Sequence, residues 1–181
     1  MLKTNKRILS LDIATSCGYA VYTDGKVIDY GAWQLDKHKR GEEPRPYTTL
    51  YNMLSCIRQK YDIDYIVAES AFIPANNKSG EYKSLAAAAS LFAKHGVVEM
   101  FCESNKIPYS EISPLAAKRF MFNYRYGMSR ETAKAAMINA VKRLGYELPN
   151  TKQAEDMADA LGILFTKLGG TIAASHNTQQ L

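Results

Sequence analysis

Acidic residues stand at two places in the chain where an apolar setting makes them unusual. Asp12 lies inside the apolar run 8–13, and Glu69 closes the apolar run 65–69. An ionised carboxylate in a buried strand is costly unless it is paired or binds a metal. Either acid alone is better explained by a solvated strand end or a lysine partner, so neither defines a site by itself.

A third group of acids opens the last predicted helix. At about 100° per residue, Asp156 and Asp159 lie about 60° apart and Glu155 and Asp159 about 40° apart, off the apolar face. Taken alone, the group is better explained as a solvated acidic face at a helix N-terminus, which favours acids. Periodicity does not decide whether Glu155 or Asp156 acts with Asp159.

The combination of these acids favours a metal site. Carboxylates from two strands and a late helix can converge on one point, and oxygen ligands without histidine suit Mg²⁺ or Mn²⁺. Two such ions about 4 Å apart can activate a water and stabilise the leaving oxygen in phosphodiester cleavage. The predicted chemistry is therefore metal-dependent hydrolysis of a phosphodiester.

Hydrophobic periodicity predicts the elements that must position these acids. The Asp24-Gly25 pair indicates a hairpin after the second strand. The predicted fold is a mixed α/β sheet, with three antiparallel strands and then two parallel ones, flanked by helices. Strands are expected over 7–13, 18–23, 26–33, 65–69 and 109–112, and helices over 47–61, 82–105, 113–122, 129–144 and 152–168. We expect one domain over 1–170 and, after Gly169-Gly170 ends the last helix, a disordered tail over 171–181.

The composition is that of a globular protein. The chain has 181 residues, 46% of them hydrophobic and 23% charged, which argues against a disordered or fibrous protein. Its three cysteines form no CxxC pair, which favours a reducing compartment. No signal peptide is apparent, and the most apolar run, 85–93, falls far short of the roughly 20 residues of a membrane span. We expect a cytoplasmic protein without a membrane partner.

Basic charge is concentrated in one segment. Residues 114–152 contain eight basic side chains and two acidic ones, a net +6, whereas the whole chain carries +5. Tyr124 and Tyr126 alternate with Arg125 in a predicted loop, a pattern that suits phosphate and sugar contacts. Solvated helix faces would also explain the segment, but beside a hydrolytic carboxylate site it favours binding of DNA, with an affinity that falls with salt.

Three motifs give the chain a resemblance to the RuvC family of Holliday junction resolvases, within the ribonuclease H-like superfamily. The segment 8–12 followed by 18–21 is similar to the family's first strand and hairpin. The segment 66–72 resembles its second motif, and the segment 155–161 resembles its C-terminal motif. The motifs occur in the family's order and spacing over nearly the whole chain.

The resemblance implies roles for individual residues. Asp12, Glu69, Asp156 and Asp159 match the four metal-binding catalytic carboxylates, which favours Asp156 over Glu155. Phe72 matches an aromatic residue that stacks on or wedges between bases, although a core phenylalanine would explain it too. Lys118 matches a lysine of the family's Ser-Pro helix, and either Arg130 or Lys134 is the second basic residue of the site. We include all of these basic residues, with Arg119 and Arg125, among the DNA-binding candidates.

The resemblance also implies cofactors and partners. Two Mg²⁺ ions per site are expected, with Mn²⁺ as a substitute, and the substrate is expected to be a four-way DNA junction. The alanine-rich helix 82–105 matches the element that pairs two subunits, so a homodimer is implied, although a central core helix is the other interpretation of that segment.

Departures from the family pattern leave alternatives open. Ile13-Ala14 follows Asp12 where bacterial members have Pro-Gly, which indicates a divergent branch for which a viral source, and hence a host cytoplasm, is one interpretation. An endonuclease acting on forks and flaps and a junction-binding protein without catalysis remain alternatives. An actin-like or sugar-kinase ATPase is disfavoured, because those folds need two such domains.

Overall fold

A five-stranded mixed sheet forms the centre of the protein. The computed structural model describes residues 6–35, 45–71 and 82–177. The strand order is β3-β2-β1-β4-β5, antiparallel among the first three strands and parallel from β1 to β4 to β5. The strands are β1 (Ile8–Asp12), β2 (Ser16–Thr23), β3 (Lys26–Gln34), β4 (Tyr65–Glu69) and β5 (Tyr109–Ile112). The predicted fold class is confirmed.

Helices cover both faces of the sheet. The helices are α1 (Pro46–Tyr61), α2 (Tyr82–Ser104), α3 (Pro114–Phe122), α4 (Arg130–Arg143) and α5 (Gln153–Asn177). α1 and α2 pack on one face, where Leu9 and Leu11 point, and α3, α4 and α5 pack on the other, where Ile8 points. Because side chains alternate along a strand, Asp12 lies on the same face as Ile8 and Ser10, the face that α5 covers.

The predicted end of α5 at Leu168 is wrong, because the helix continues through Gly169 and Gly170 to Asn177. Gly169 allows a close approach: a Cβ atom there would lie 2.3 Å from Cζ of Phe120 on α3. A glycine inside a helix costs only about 1 kcal/mol relative to alanine, so it does not have to end the helix. The single domain over 1–170 and the disorder of the tail stay predictions, and residues 178–181 lie outside the described part of the chain.

α2 packs through only one of its faces. Val98, Phe101 and Cys102 are buried in the core cluster that includes residues of α1 and the sheet, whereas Leu85, Phe92 and Met100 are 67%, 50% and 53% exposed. The interpretation of α2 as a central core helix is therefore wrong. By length and composition alone, Leu85–Ser104 would suffice to cross a membrane, and 28% of it is buried. Such a helix is a weak indication of a span, because a helix packed on one side of a core passes the same test.

Candidate active site

The four carboxylates predicted from the sequence line one cleft of about 510 Å³. Asp12 is the last residue of β1 and Glu69 the last of β4, two neighbouring parallel strands. Asp156 and Asp159 lie in the first two turns of α5. The cleft therefore opens at the carboxyl ends of the parallel strands, where ligands of open α/β sheets commonly bind.

Two close contacts set the position of α5 against the sheet. The Ser10 hydroxyl, two residues before Asp12, donates a hydrogen bond of 2.8 Å to the carbonyl oxygen of Ala160. At Gly18 on β2, a Cβ atom would lie only 1.9 Å from the carbonyl oxygen of Asp156. Only glycine permits this approach, so Gly18 allows the start of α5 to sit beside the end of β1.

Burial raises the pKa of all four carboxyl groups, and repulsion by neighbouring carboxylates adds to the rise. Asp12 is only 8% exposed, and burial raises its pKa well above the usual range, with further contributions from the charges of Asp159, Glu69 and Asp156. Burial and the charge of Asp159 raise the pKa of Glu69 to about 7. Burial raises the pKa of Asp159 to about 6 and also raises that of Asp156, where the Ser16 hydroxyl offsets part of the rise. The nearby positive charges therefore do not compensate the negative charge of the four ionised carboxylates.

The donor set fits a hard divalent cation. The four side chains offer only carboxylate oxygens, the ligands that Mg²⁺ and Mn²⁺ prefer, and a bound cation would relieve the repulsion among them. Within the described ranges, however, no three acidic, histidine or cysteine side chains already stand close enough together to hold an ion. One or two of these carboxylates, together with water and phosphate oxygens, would be enough to hold Mg²⁺.

Glu155 and Asp156 have different partners within the cleft. Both Glu155 and Asp156 line the cleft, but the Glu155 carboxylate accepts a hydrogen bond from Nζ of Lys134. The charge of Asp156 raises the pKa of Asp12, whereas the charge of Glu155 raises the pKa of Asp156 and of Asp159. The geometry therefore favours Asp156 as the partner of Asp12 and Asp159, a choice that helical periodicity left open.

The predicted basic residues divide into two groups. Lys118 lines the cleft, and its charge partly offsets the rise in the pKa of Asp12, Glu69 and Asp159. Arg130 and Lys134 also line it, and the charge of Lys134 lowers the pKa of Asp156 and Asp159.

Three predicted DNA-binding residues remain. Arg119 and Arg125 are exposed and are not among the residues that line it. Phe72 lies outside the described part of the chain.

Two charged or polar residues of α2 escaped the sequence interpretation. Lys94 and His95 are only 3% and 4% exposed. Nδ1 of His95 lies 3.1 Å from Oε1 of Glu111, an oxygen that also accepts a hydrogen bond of 2.9 Å from Tyr109. His95 lines a smaller adjoining cavity together with Glu69 and Lys118. The sequence feature that could have indicated them is the Lys94-His95 pair inside a mostly apolar predicted helix.

Comparisons with known proteins find similarity to RuvC proteins in sequence and in fold. No family model matches the chain. The crossover junction endodeoxyribonuclease RuvC of Caldicellulosiruptor saccharolyticus is 26% identical over 163 residues, which cover 87% of this chain and 89% of that protein.

Two solved structures of Thermus thermophilus RuvC share the fold. One, in complex with a Holliday junction substrate, matches with a TM-score of 0.62 at 14% identity, over 89% of this chain and 91% of that one. The other matches with a TM-score of 0.58 at 15% identity, over 88% and 92%. The chain thus shares the fold of Thermus thermophilus RuvC, and its sequence is similar to the Caldicellulosiruptor saccharolyticus RuvC over most of both chains.

Proposed function

We propose that the protein is a metal-dependent endonuclease that resolves four-way DNA junctions by paired nicks in opposing strands. The observation that carries the proposal is the cleft in which Asp12, Glu69, Asp156 and Asp159 meet beside Lys118, at the strand ends of a RuvC-like fold. The name of the similar protein from Caldicellulosiruptor saccharolyticus, a crossover junction endodeoxyribonuclease, supports the same activity.

Asp12, Glu69, Asp156 and Asp159 would hold the metal, which we propose to be Mg²⁺, two ions per site, with Mn²⁺ as a substitute. When bound, such ions supply an activated water and stabilise charge on the leaving oxygen. The residues themselves set the orientation: Asp12 and Glu69 are fixed at the ends of paired strands, and α5 holds the two aspartates against them. Hydrolysis would leave a 5′-phosphate and a 3′-hydroxyl.

The basic residues around the cleft would hold the DNA. Lys118 stands among the carboxylates, where an ammonium group can accompany the scissile phosphate. Arg130 and Lys134 line the same cleft, and Arg119 and Arg125 would extend the contact to the flanking backbone. Phe72 is proposed as the residue that stacks on a base near the junction centre. Affinity is therefore expected to fall steeply with salt.

The exposed apolar face of α2 supports a homodimer. Leu85, Phe92 and Met100 are at least half exposed on one helix, and exposed alanines beside Leu85 permit a close approach by a second helix. A four-way junction has approximate two-fold symmetry and needs two cuts, which a two-fold dimer can deliver. We therefore propose that two copies pair through α2.

Substitution of Asp12 by asparagine tests the proposal. Asp12→Asn keeps the shape of the side chain and removes one metal-binding charge, so the variant should bind a four-way junction and fail to cut it. Asp24→Asn, an exposed carboxylate at the tip of the β2–β3 hairpin, is the matched control and should cut normally. Gel-shift and nicking assays on one labelled junction give both readouts, and normal cutting by Asp12→Asn would overturn the assignment.

The branch selectivity needs a separate measurement. Four-way junctions, three-way junctions, forks, flaps and plain duplex of shared sequence, compared at equal concentration, separate a junction resolvase from a general branched-DNA nuclease. We expect the four-way junction to be cut fastest and with paired nicks. Binding to the junction without nicking in either Mg²⁺ or Mn²⁺ would instead support a non-catalytic junction-binding protein.

A further inference from the structure

A tyrosine with no packing contact lies next to the carboxylate cleft. Tyr126, in the loop between α3 and α4, has a relative exposure of 104%, higher than any other large apolar or aromatic side chain that is exposed in the described part of the chain. Both faces of its ring are therefore in contact with water. Nothing in the fold uses this ring, so its aromatic surface is available to a ligand.

The backbone of the loop presents Tyr126 at the corner of a tight turn. The amide of Met128 donates a hydrogen bond of 3.3 Å to the carbonyl oxygen of Arg125, and Gly127 has φ +89°. A positive φ at the third position is that of a type II turn, which puts Tyr126 at the second position. The ring is therefore carried by a defined turn.

The turn is fixed at both ends. Before it, Asn123 caps α3 with a positive φ of 53°, and its amide donates to the carbonyl oxygen of Arg119. After it, the Ser129 hydroxyl accepts a hydrogen bond of 3.1 Å from the amide of Thr132 and caps α4. Both helix ends that flank the turn are therefore capped by hydrogen bonds.

The loop that carries Tyr126 borders the active-site cleft. Tyr124 and Met128, two residues to either side of Tyr126, line the cleft together with Arg130 and the carboxylates. No acid occurs between Pro114 and Arg130, whereas Arg119, Arg125 and Arg130 do. An exposed aromatic ring among basic side chains is the arrangement by which proteins stack on bases of unpaired nucleic acid while binding its phosphates.

We propose that Tyr126 stacks on a base at the branch point of the junction, presented by the turn 125–128. The inference rests on the proposed function and adds to it a residue that selects branched DNA, because a base in continuous duplex offers no free face. Arg125 and Arg130 would contact the phosphates on either side of that base.

The test is a cycle that combines a protein change with a DNA change. Tyr126→Ala should weaken junction binding by about 10-fold, within the range produced by loss of one base–aromatic stack. Tyr126→Phe keeps the ring and should bind like the parent protein. Tyr47→Ala removes another exposed tyrosine, at the start of α1, and should also leave binding unchanged. Affinities are measured by fluorescence anisotropy at fixed salt with Ca²⁺ in place of Mg²⁺.

The DNA arm replaces the branch-point nucleotides, one at a time, by abasic sites. At one abasic position the affinity of the parent protein should fall by the same factor of about 10, whereas the affinity of Tyr126→Ala should not fall further. Stacking by Tyr126 is overturned if Tyr126→Ala loses as much affinity as the parent protein on every abasic junction. It is also overturned if Tyr126→Ala binds the intact junction as tightly as the parent protein does. If the parent protein binds no junction at all, the proposed function itself is wrong.

Discussion

Neutralising Glu69 should stabilise the metal-free protein while removing activity. Burial and the charge of Asp159 raise the pKa of Glu69 from 4.5 to about 7, so the folded protein pays to keep this carboxylate ionised at pH 8. Glu69→Gln removes the charge with little change in shape. Glu103→Gln, at an exposed position of α2, is the matched control.

The magnitude follows from the difference in pKa. A group whose pKa is raised on folding binds more protons in the native state, so stability falls as pH rises from the unfolded pKa to the folded one. For Glu69 that window runs from 4.5 to about 7. At pH 8 the penalty is about 3 kcal/mol, and at pH 5 it is below about 1 kcal/mol.

Thermal unfolding in the presence of a chelator measures this difference. For a chain of this length, a gain of about 3 kcal/mol corresponds to a rise in Tm of roughly 6–12 °C. Glu69→Gln should show that rise at pH 8 and little of it at pH 5. Mg²⁺ should then stabilise the parent protein more than the variant, because ligand binding to the native state adds to stability. A Tm at pH 8 equal to or below that of Glu103→Gln would refute the reasoning from burial and repulsion.

Two further substitutions test the position and the charge of the site. Gly18→Ala should lower the free energy of unfolding by at least about 2 kcal/mol, measured by chemical denaturation, because its Cβ would lie 1.9 Å from the carbonyl oxygen of Asp156. Gly96→Ala, with no atom near its Cβ, is the control and should not lower it. An equal effect of the two substitutions would contradict the packing argument. Lys118→Gln should shift the acid limb of the cleavage profile to higher pH, because Lys118 lowers the pKa of Asp12, Glu69 and Asp159. Single-turnover rates across pH check this, with exposed Lys142→Gln as the control that should leave the profile unmoved.

The sheet and the acidic residues on it could be predicted because their signals are local. A short apolar run in the sequence predicts a buried strand, and an acidic residue within such a run is unusual, as Asp12 and Glu69 are. The RuvC resemblance added the pairing of Asp156 with Asp159. The roles of these four residues in metal binding stay predictions, whereas their placement in one cleft is a feature of the structure.

The features that could not be predicted depend on contacts between distant segments. Gly169 of α5 lies close to the ring of Phe120 of α3, and Glu155 of α5 pairs with Lys134 of α4. The buried His95 became visible only when Glu111 was placed beside it. None of these pairs is close in sequence, so periodicity carries no information about them.

The central claim is that the carboxylate cleft cuts four-way junctions with the help of a divalent ion. A nicking assay on a branch-migrating four-way junction, with and without Mg²⁺, tests it most directly. We expect paired nicks in opposing strands of like polarity with Mg²⁺ and intact junctions with a chelator. Stable binding of the junction without nicking in either Mg²⁺ or Mn²⁺ would contradict the account.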